Sequence, residues 1–177
     1  MLTRNHVVLL ASYNEWMNAK LYEAAATLTP AEISADRKAF FGSLLGTLNH
    51  IVVGDTLWLK RFATHPGNHA ALDPIRQAPM PQALGQVLFD NLPALREHRR
   101  QLDQMIIAWA GSLSETDLAQ VLSYKNTKGI PASKLFSNLV LHFFNHQTHH
   151  RGQATTLLSQ AGVDVGVTDL LALVPDE

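Results

Sequence analysis

Apolar residues recur at three- and four-residue steps along most of the chain, a spacing that places side chains on one face of an α-helix. This pattern predicts four long helices, over residues 3–28, 40–63, 82–109 and 132–160. Proline, glycine and polar clusters separate them, because proline cannot continue a helix interior and glycine weakens it. Four long amphipathic helices predict an all-α fold, a four-helix bundle formed by residues 1–177 as a single domain.

Two connections between the helices have their own pattern. Residues 65–81 hold four prolines and are predicted to form a long crossover connection, either a plain loop or a functional lid. Residues 119–131 favour a small β-hairpin, because 120–124 suit a strand and 126–129 have turn chemistry.

Single residues refine the predicted helix boundaries. Pro93 lies inside the third predicted helix, so a kink or break is expected there. Ser133 suits the N-cap of the fourth helix, and Gly162 suits its C-terminal stop. A short C-terminal helix is predicted over residues 168–173, before Pro175.

Composition and charge narrow the function classes. Fourteen basic residues against fifteen acidic ones, without a basic run, give no electrostatic reason to expect nucleic acid or an anionic membrane as partner. The N-terminal apolar run, 7–11, is too short for a signal peptide, and no segment reaches membrane-spanning length. The absence of cysteine excludes disulfides, thiolate nucleophiles and cysteine-based metal sites. We therefore expect a cytoplasmic protein.

Histidine is the most informative residue type in this sequence. Four of the nine histidines fall within nine positions, at His142, His146, His149 and His150. On a helical wheel His150 lies inside the apolar face of the fourth helix and His146 lies on its edge, whereas His142 and His149 are rotated outward. A pair of imidazoles at i and i+4 is typical of helical zinc or nickel ligands. The alternative is that these are core or surface histidines with ordinary hydrogen bonds.

A third ligand would have to come from elsewhere in the chain, and the pattern alone leaves its identity open. His98 sits among charged residues and is predicted to be solvated, whereas His65 and His69 lie in the crossover connection. His50 is near small residues in the middle of the second helix, but it lies opposite the densest apolar stripe and could be exposed. The other remaining histidine is His6.

Several segments together resemble the DinB family of damage-inducible bacterial proteins, within the DinB/YfiT-like superfamily. The matching segments cover nearly the whole chain. They are Tyr13-Asn14-x-Trp16-x-Asn18-x-x-Leu21, Phe40-Phe41-Gly42-Ser43, Thr47-Leu48-Asn49-His50, Asp55-x-x-Trp58-Leu59 and Asn145-His146-Gln147-Thr148-His149-His150-Arg151-Gly152-Gln153.

The resemblance implies a four-helix bundle that binds one divalent metal ion, nickel or zinc, through three histidines. One ligand would come from the Asn-His pair of the second helix, here His50, and two from the fourth helix, here His146 and His150. Many family members are dimeric, which implies a homodimer. Relatives in the superfamily include thiol-dependent transferases and a mycothiol-dependent isomerase. An external low-molecular-weight thiol is therefore a candidate cofactor.

Two functional hypotheses follow. The first is a metal-dependent enzyme that acts on a small molecule with an external thiol or activated water, as an S-transferase or hydrolase, since three imidazoles leave a coordination position open. The second is a non-catalytic stress-inducible protein whose metal is structural or regulatory. The sequence does not identify a catalytic residue.

Several polar residues are candidates for supporting roles. His149 and Arg151 could orient substrate, although helix hydrogen bonding or exposure is the simpler explanation. Asn49, Asn145 and Gln147 could fix the orientation of the imidazoles. The three tryptophans, which need cover, are compatible with a dimer; they are Trp16, Trp58 and Trp109.

Overall fold

Four long helices, three short ones and a two-stranded hairpin form the computed structural model, which describes residues 2–176. The predicted fold class is confirmed. The helices are α1 (Arg4–Ala25), α2 (Pro30–Ser34), α3 (Leu44–Phe62), α4 (Asp73–Gln77), α5 (Leu92–Ser112), α6 (Glu115–Leu118) and α7 (Phe136–Gln160). The strands are β1 (Val121–Lys125) and β2 (Pro131–Leu135), and two 3₁₀ turns span Ala70–Leu72 and Leu170–Leu173.

The long helices pack around one apolar core. Helix α1 packs against α5 and α7, and α3 packs against α7. Four aromatic side chains are fully buried where α3, α5 and α7 meet, and the rings of Phe62 and Trp109 stack with centroids 5.1 Å apart. The other two are Phe136 and Phe143. This core fixes α3 beside α7, the helices that carry the candidate metal ligands.

The third long helix begins ten residues later than predicted. Residues 82–91 contain no helix, and α5 starts at Leu92 with the Asn91 side chain accepting a hydrogen bond from the backbone N–H of Ala94. Pro93 lies in the first turn, where a helix has no use for the missing N–H, so the predicted kink or break takes the form of a break, with the helix beginning one residue before the proline. The apolar residues of segment 82–91 pack over α3 from a loop instead of forming one face of a helix.

The fourth long helix also starts later than predicted, at Phe136. Ser133 is not its N-cap but belongs to β2, where its hydroxyl lies 2.8 Å from that of Ser123 on β1. The predicted hairpin is confirmed as an antiparallel pair, and it extends to Leu135. Gly162 follows the helix with a φ of +80°, as expected for a C-terminal stop.

The remaining predicted connections are only partly irregular. The crossover between α3 and α5 contains the 3₁₀ turn Ala70–Leu72 and helix α4. The predicted C-terminal helix is a 3₁₀ turn at Leu170–Leu173. Within residues 2–176, none of the helices is both long and apolar enough to cross a membrane.

Candidate metal centre

Three histidine side chains from two helices converge between α3 and α7. His50 comes from the middle of α3, and His146 and His150 come from successive turns of α7. One ring nitrogen of each lies within 4.8 Å of the other two. The ring centroids are 5.3 Å apart for His50 and His146, 4.3 Å for His50 and His150, and 4.4 Å for His146 and His150. This is the trio that the resemblance implied.

Neighbouring carbonyl oxygens set the protonation of two of these rings. His50 Nδ1 lies 2.8 Å from the backbone oxygen of Leu84, and His150 Nδ1 lies 2.8 Å from Gln153 Oε1. A carbonyl oxygen can only accept, so both rings carry their hydrogen on Nδ1. In the neutral state each Nε2 is then a bare acceptor, yet the two Nε2 atoms lie 3.1 Å apart. Two nitrogens bound to one cation at about 2.0–2.1 Å are about 3.0–3.4 Å apart, so the pair fits a shared metal ion.

The third ring, His146, is half-buried between the helices. Its Nδ1 is buried and has no hydrogen-bond partner within residues 2–176. Burial, with His150 and His50 nearby, lowers the pKa of His146 to about 3, and burial also lowers the pKa of His50 and of His150. All three imidazoles are therefore neutral near pH 7, the state in which imidazole binds a metal.

Gly54 makes room for this ring. A methyl group at Gly54 would lie 2.6 Å from His146 Cε1, closer than carbon atoms can approach. Gly54 is four residues after His50 and therefore faces the same side of α3. The glycine allows His146 of α7 to approach the backbone of α3 directly.

His50 is buried rather than exposed, with 5% of its surface accessible. The ring of Phe41 stacks on the His50 ring at 3.8 Å between centroids, and Leu84 covers its Nδ1 edge. Although His50 lies opposite the densest apolar stripe of α3, two loops pack over it and bury it. Neither loop could be placed from the periodicity of α3 alone.

Asn49 holds one of these loops in position. Its Oδ1 accepts from the backbone N–H groups of Leu88 and Phe89, at 2.8 and 3.0 Å. Its Nδ2 donates to the backbone oxygens of Leu45 and Phe89, both at 3.0 Å. Asn49 therefore anchors the segment that presents the Leu84 carbonyl to His50, a supporting role that the sequence raised as one option.

The other predicted supporting residues are placed differently. Asn145 is exposed and Gln147 is fully buried. His142 and His149 are exposed, as the helical wheel predicted. Arg151 is 3% exposed and donates to Asn14 Oδ1, which favours a structural role for it.

A buried network of charged and amide side chains was not predicted from the sequence. Arg99 is 2% exposed and pairs with Asp55 and, at 3.0 Å, with Asp103. Asp103 also accepts from Asn14 and Asn18 of α1, at 2.9 and 2.8 Å. Polar residues of three helices are joined here without contributing to the histidine trio.

A cavity of about 660 Å³ lies beside the part of α3 that follows His50 in the chain. None of the three histidines lines it, but Leu84, the partner of His50, does. Its wall also includes Lys60 and Arg61 of α3 and Tyr124 of β1. The volume is in the range of pockets that bind small molecules.

Comparison with known proteins finds sequence similarity over nearly the whole chain. A sequence model of the DinB family matches residues 1–175. The chain is 24% identical over 160 residues to Protein DinB of Bacillus subtilis (strain 168), a match that covers 90% of this chain and 88% of the relative. No solved structure matches the chain.

Proposed function

The chain belongs to the DinB family, and from this premise we propose that it is a metal-dependent enzyme that acts on a small molecule. The proposed ligands of one divalent ion, nickel or zinc, are His50, His146 and His150. The reaction would use an external thiol or water, as in an S-transferase or a hydrolase. The close approach of two bare Nε2 atoms, 3.1 Å apart, is the observation that carries the proposal.

The donor set fits a reactive metal better than a closed structural one. Three neutral imidazoles satisfy fewer positions than a tetrahedral site offers. A divalent ion held in this way would keep its full charge and supply Lewis acidity towards an anionic ligand such as a thiolate. The described residues of the chain contain no cysteine, so the thiol would be external.

The residues around the trio would hold the proposed ligands in the orientation and protonation state that metal binding needs. Leu84 and Gln153 hold the hydrogens of His50 and His150 on Nδ1 and leave Nε2 free. Phe41 covers one face of His50 and excludes water from it. His146 and His150 are half-buried rather than sealed, so a small molecule could reach them.

The adjoining cavity is the proposed place for the substrate. Leu84 belongs both to its wall and to the hydrogen bond that orients His50. Lys60 and Arg61 add positive charge to the wall, which suits a small molecule with an anionic group.

A non-catalytic role is the second candidate, because the trio joins two helices. An ion bound by His50 of α3 and the two histidines of α7 would link the helices in the folded state alone and so stabilise it. In this case the metal would be structural or regulatory. The homodimer and the cytoplasmic location remain predictions. Trp109 gives no support to a dimer, since it is fully buried within the chain.

Reconstitution separates the two candidates. Chelated protein would be reloaded with Ni²⁺ or Zn²⁺ and screened with low-molecular-weight thiols, electrophiles and activated esters. The enzyme hypothesis predicts turnover that needs the metal, is lost in His146→Ala and is kept in His142→Ala, since His142 is exposed. Chelation that lowers the melting temperature, with no turnover in any metal-loaded sample, would support the structural role instead.

A further inference from the structure

A second group of potential metal ligands lies where the α3–α5 crossover begins. His65 follows the end of α3, His69 precedes the 3₁₀ turn Ala70–Leu72, and Asp117 is in α6. One ring nitrogen of each histidine and one carboxylate oxygen lie within 4.8 Å of one another. Two histidines and one carboxylate are a ligand set that binds first-row transition metals and leaves positions open.

The two histidines are buried by a tight turn. His65 is 2% exposed and His69 is 7% exposed, although both lie in a connection between helices. The backbone N–H of Asn68 donates to the oxygen of His65 at 3.0 Å, and Asn68 has a φ of +46°, a conformation that asparagine adopts more readily than most residues. The turn therefore brings both rings inward, against the start of α7, where His65 packs on Phe136.

His69 presents a bare nitrogen inside this group. The hydroxyl of Ser112 donates its only hydrogen to the backbone oxygen of Trp109 at 2.8 Å. At its 3.1 Å contact with His69 Nδ1, Ser112 must therefore accept, which places the imidazole hydrogen on Nδ1. His69 Nε2 is then an unprotonated acceptor, buried and without a partner among the residues that the structure describes. Leaving a buried acceptor isolated in this way is unfavourable, and a bound cation would remove that cost.

The two carboxylate oxygens of Asp117 have different neighbours. Oδ2 accepts from the backbone N–H and the hydroxyl of Ser114, at 2.8 and 2.6 Å, and so caps α6. Oδ1 faces the histidines, which supplies the negative charge that a divalent ion needs.

Gly67 marks the point that the three donors surround. A methyl group at Gly67 would lie 2.8 Å from Asp117 Oδ1, 2.9 Å from His69 Nε2 and 3.1 Å from His65 Nδ1. The three atoms thus face one small space, which is open only because residue 67 has no side chain. The backbone N–H of Gly67 donates to His65 Nδ1 at 3.0 Å, and a cation would take over that lone pair.

We propose that His65, His69 and Asp117 form a second divalent-metal site, separate from the histidine trio. His50 lies twelve residues before Phe62, the last residue of α3, which corresponds to about 18 Å along the helix, so the two sites would not share an ion. The second ion would tie the turn after α3 to the α5–α6 corner. This inference does not depend on whether the trio is catalytic.

Zinc stoichiometry tests the second site without any activity assay. Chelated wild-type protein titrated with Zn²⁺ should bind two ions per chain. A His146→Ala/His150→Ala variant should keep one, and adding His69→Ala or Asp117→Asn should remove it. The side-chain oxygen of Asn at 117 can still accept from the Ser114 N–H at the start of α6, so the circular dichroism spectrum should remain that of a helical protein. The proposal is overturned if the double variant binds no zinc, or if its zinc is unaffected by the changes at 69 and 117.

A glycine pair supplies a test that leaves every ligand in place. Gly67→Ala fills the space between the donors and should weaken zinc binding in the double variant about tenfold or more. Gly111→Ala is the control, because a methyl group there meets nothing within 4 Å. If the cluster is only a hydrogen-bonded group, Gly67→Ala will lower the melting temperature equally with and without zinc, which contradicts the proposal.

Discussion

His50 donates the hydrogen on its Nδ1 to the backbone oxygen of Leu84 at 2.8 Å. This contact turns the other nitrogen of the ring towards His150 and leaves it unprotonated. Since Leu84 also lines the neighbouring cavity, one hydrogen bond connects the orientation of a proposed ligand with the place proposed for the substrate.

Removing a single imidazole should empty the proposed site. His50→Ala or His146→Ala should lose the stoichiometric metal found in the wild type while the protein stays helical, because two remaining nitrogens bind weakly. Elemental analysis and circular dichroism measure both effects. His142→Ala is the matched control, since His142 packs on Trp58 and lies outside the trio. Retention of the metal in both ligand variants would contradict the assignment.

A methyl group at Gly54 should displace a ligand without removing it. Gly54→Ala would place a carbon 2.6 Å from His146 Cε1, and we expect metal affinity to fall about tenfold or more as that ring moves. Gly152→Ala, on the exposed face of α7, should instead stabilise the chelated protein by about 0.5–1 kcal/mol. Isothermal titration with Ni²⁺ or Zn²⁺ and urea unfolding measure the two effects. Equal affinity in both variants would mean that the His146 position is not needed.

Asn49→Ala tests the loop that carries Leu84. The change leaves the N–H groups of Leu88 and Phe89 without their acceptor, and we expect a loss of about 1–3 kcal/mol in the free energy of unfolding. Metal affinity should fall about 10–100-fold, because the Leu84 carbonyl loses its fixed position. The exposed Asn145 provides the control as Asn145→Ala, which should change neither quantity. Unchanged affinity in Asn49→Ala would separate the loop from the site.

The buried network predicts a specific pH dependence. Burial raises the pKa of Asp103 to about 6 from 3.8, despite its pairing with Arg99. Folded protein therefore holds more protons on Asp103 than unfolded protein between these values, so this group's contribution to stability is lost as pH rises from about 4 to 6. Urea unfolding of chelated protein at stepped pH should show this component in the wild type and not in Asp103→Asn. Identical pH profiles for the two proteins would rule it out.

Local patterns in the sequence were enough to predict most of the helical segments and two of the three histidines of the trio. The i, i+4 spacing of His146 and His150 and the apolar face of α7 depend on a single helix, so a helical wheel could select them over His142 and His149. The hairpin turn and the Gly162 stop also depend on short stretches of sequence, whereas Ser133 was wrongly predicted as an N-cap because β2 extends to Leu135.

Features that depend on packing between distant segments could not be predicted in this way. His50 is buried by Phe41 and Leu84, and neither contact is visible in the periodicity of α3. Only the family resemblance pointed to it. The burial of Arg99 was not predicted either, because it depends on pairing with Asp55 of another helix as well as with Asp103 of its own. The predicted start of the third helix failed because residues 82–91 have helical spacing but serve as a cover for α3.

The most direct measurement of the metal position is anomalous scattering. The crystals should be grown from protein that has never been exposed to a chelator. Data collected at the absorption edge of the metal found by elemental analysis should show a peak about 2.0–2.2 Å from a ring nitrogen of each of His50, His146 and His150. Metal-containing crystals with no peak among these three rings would contradict the account.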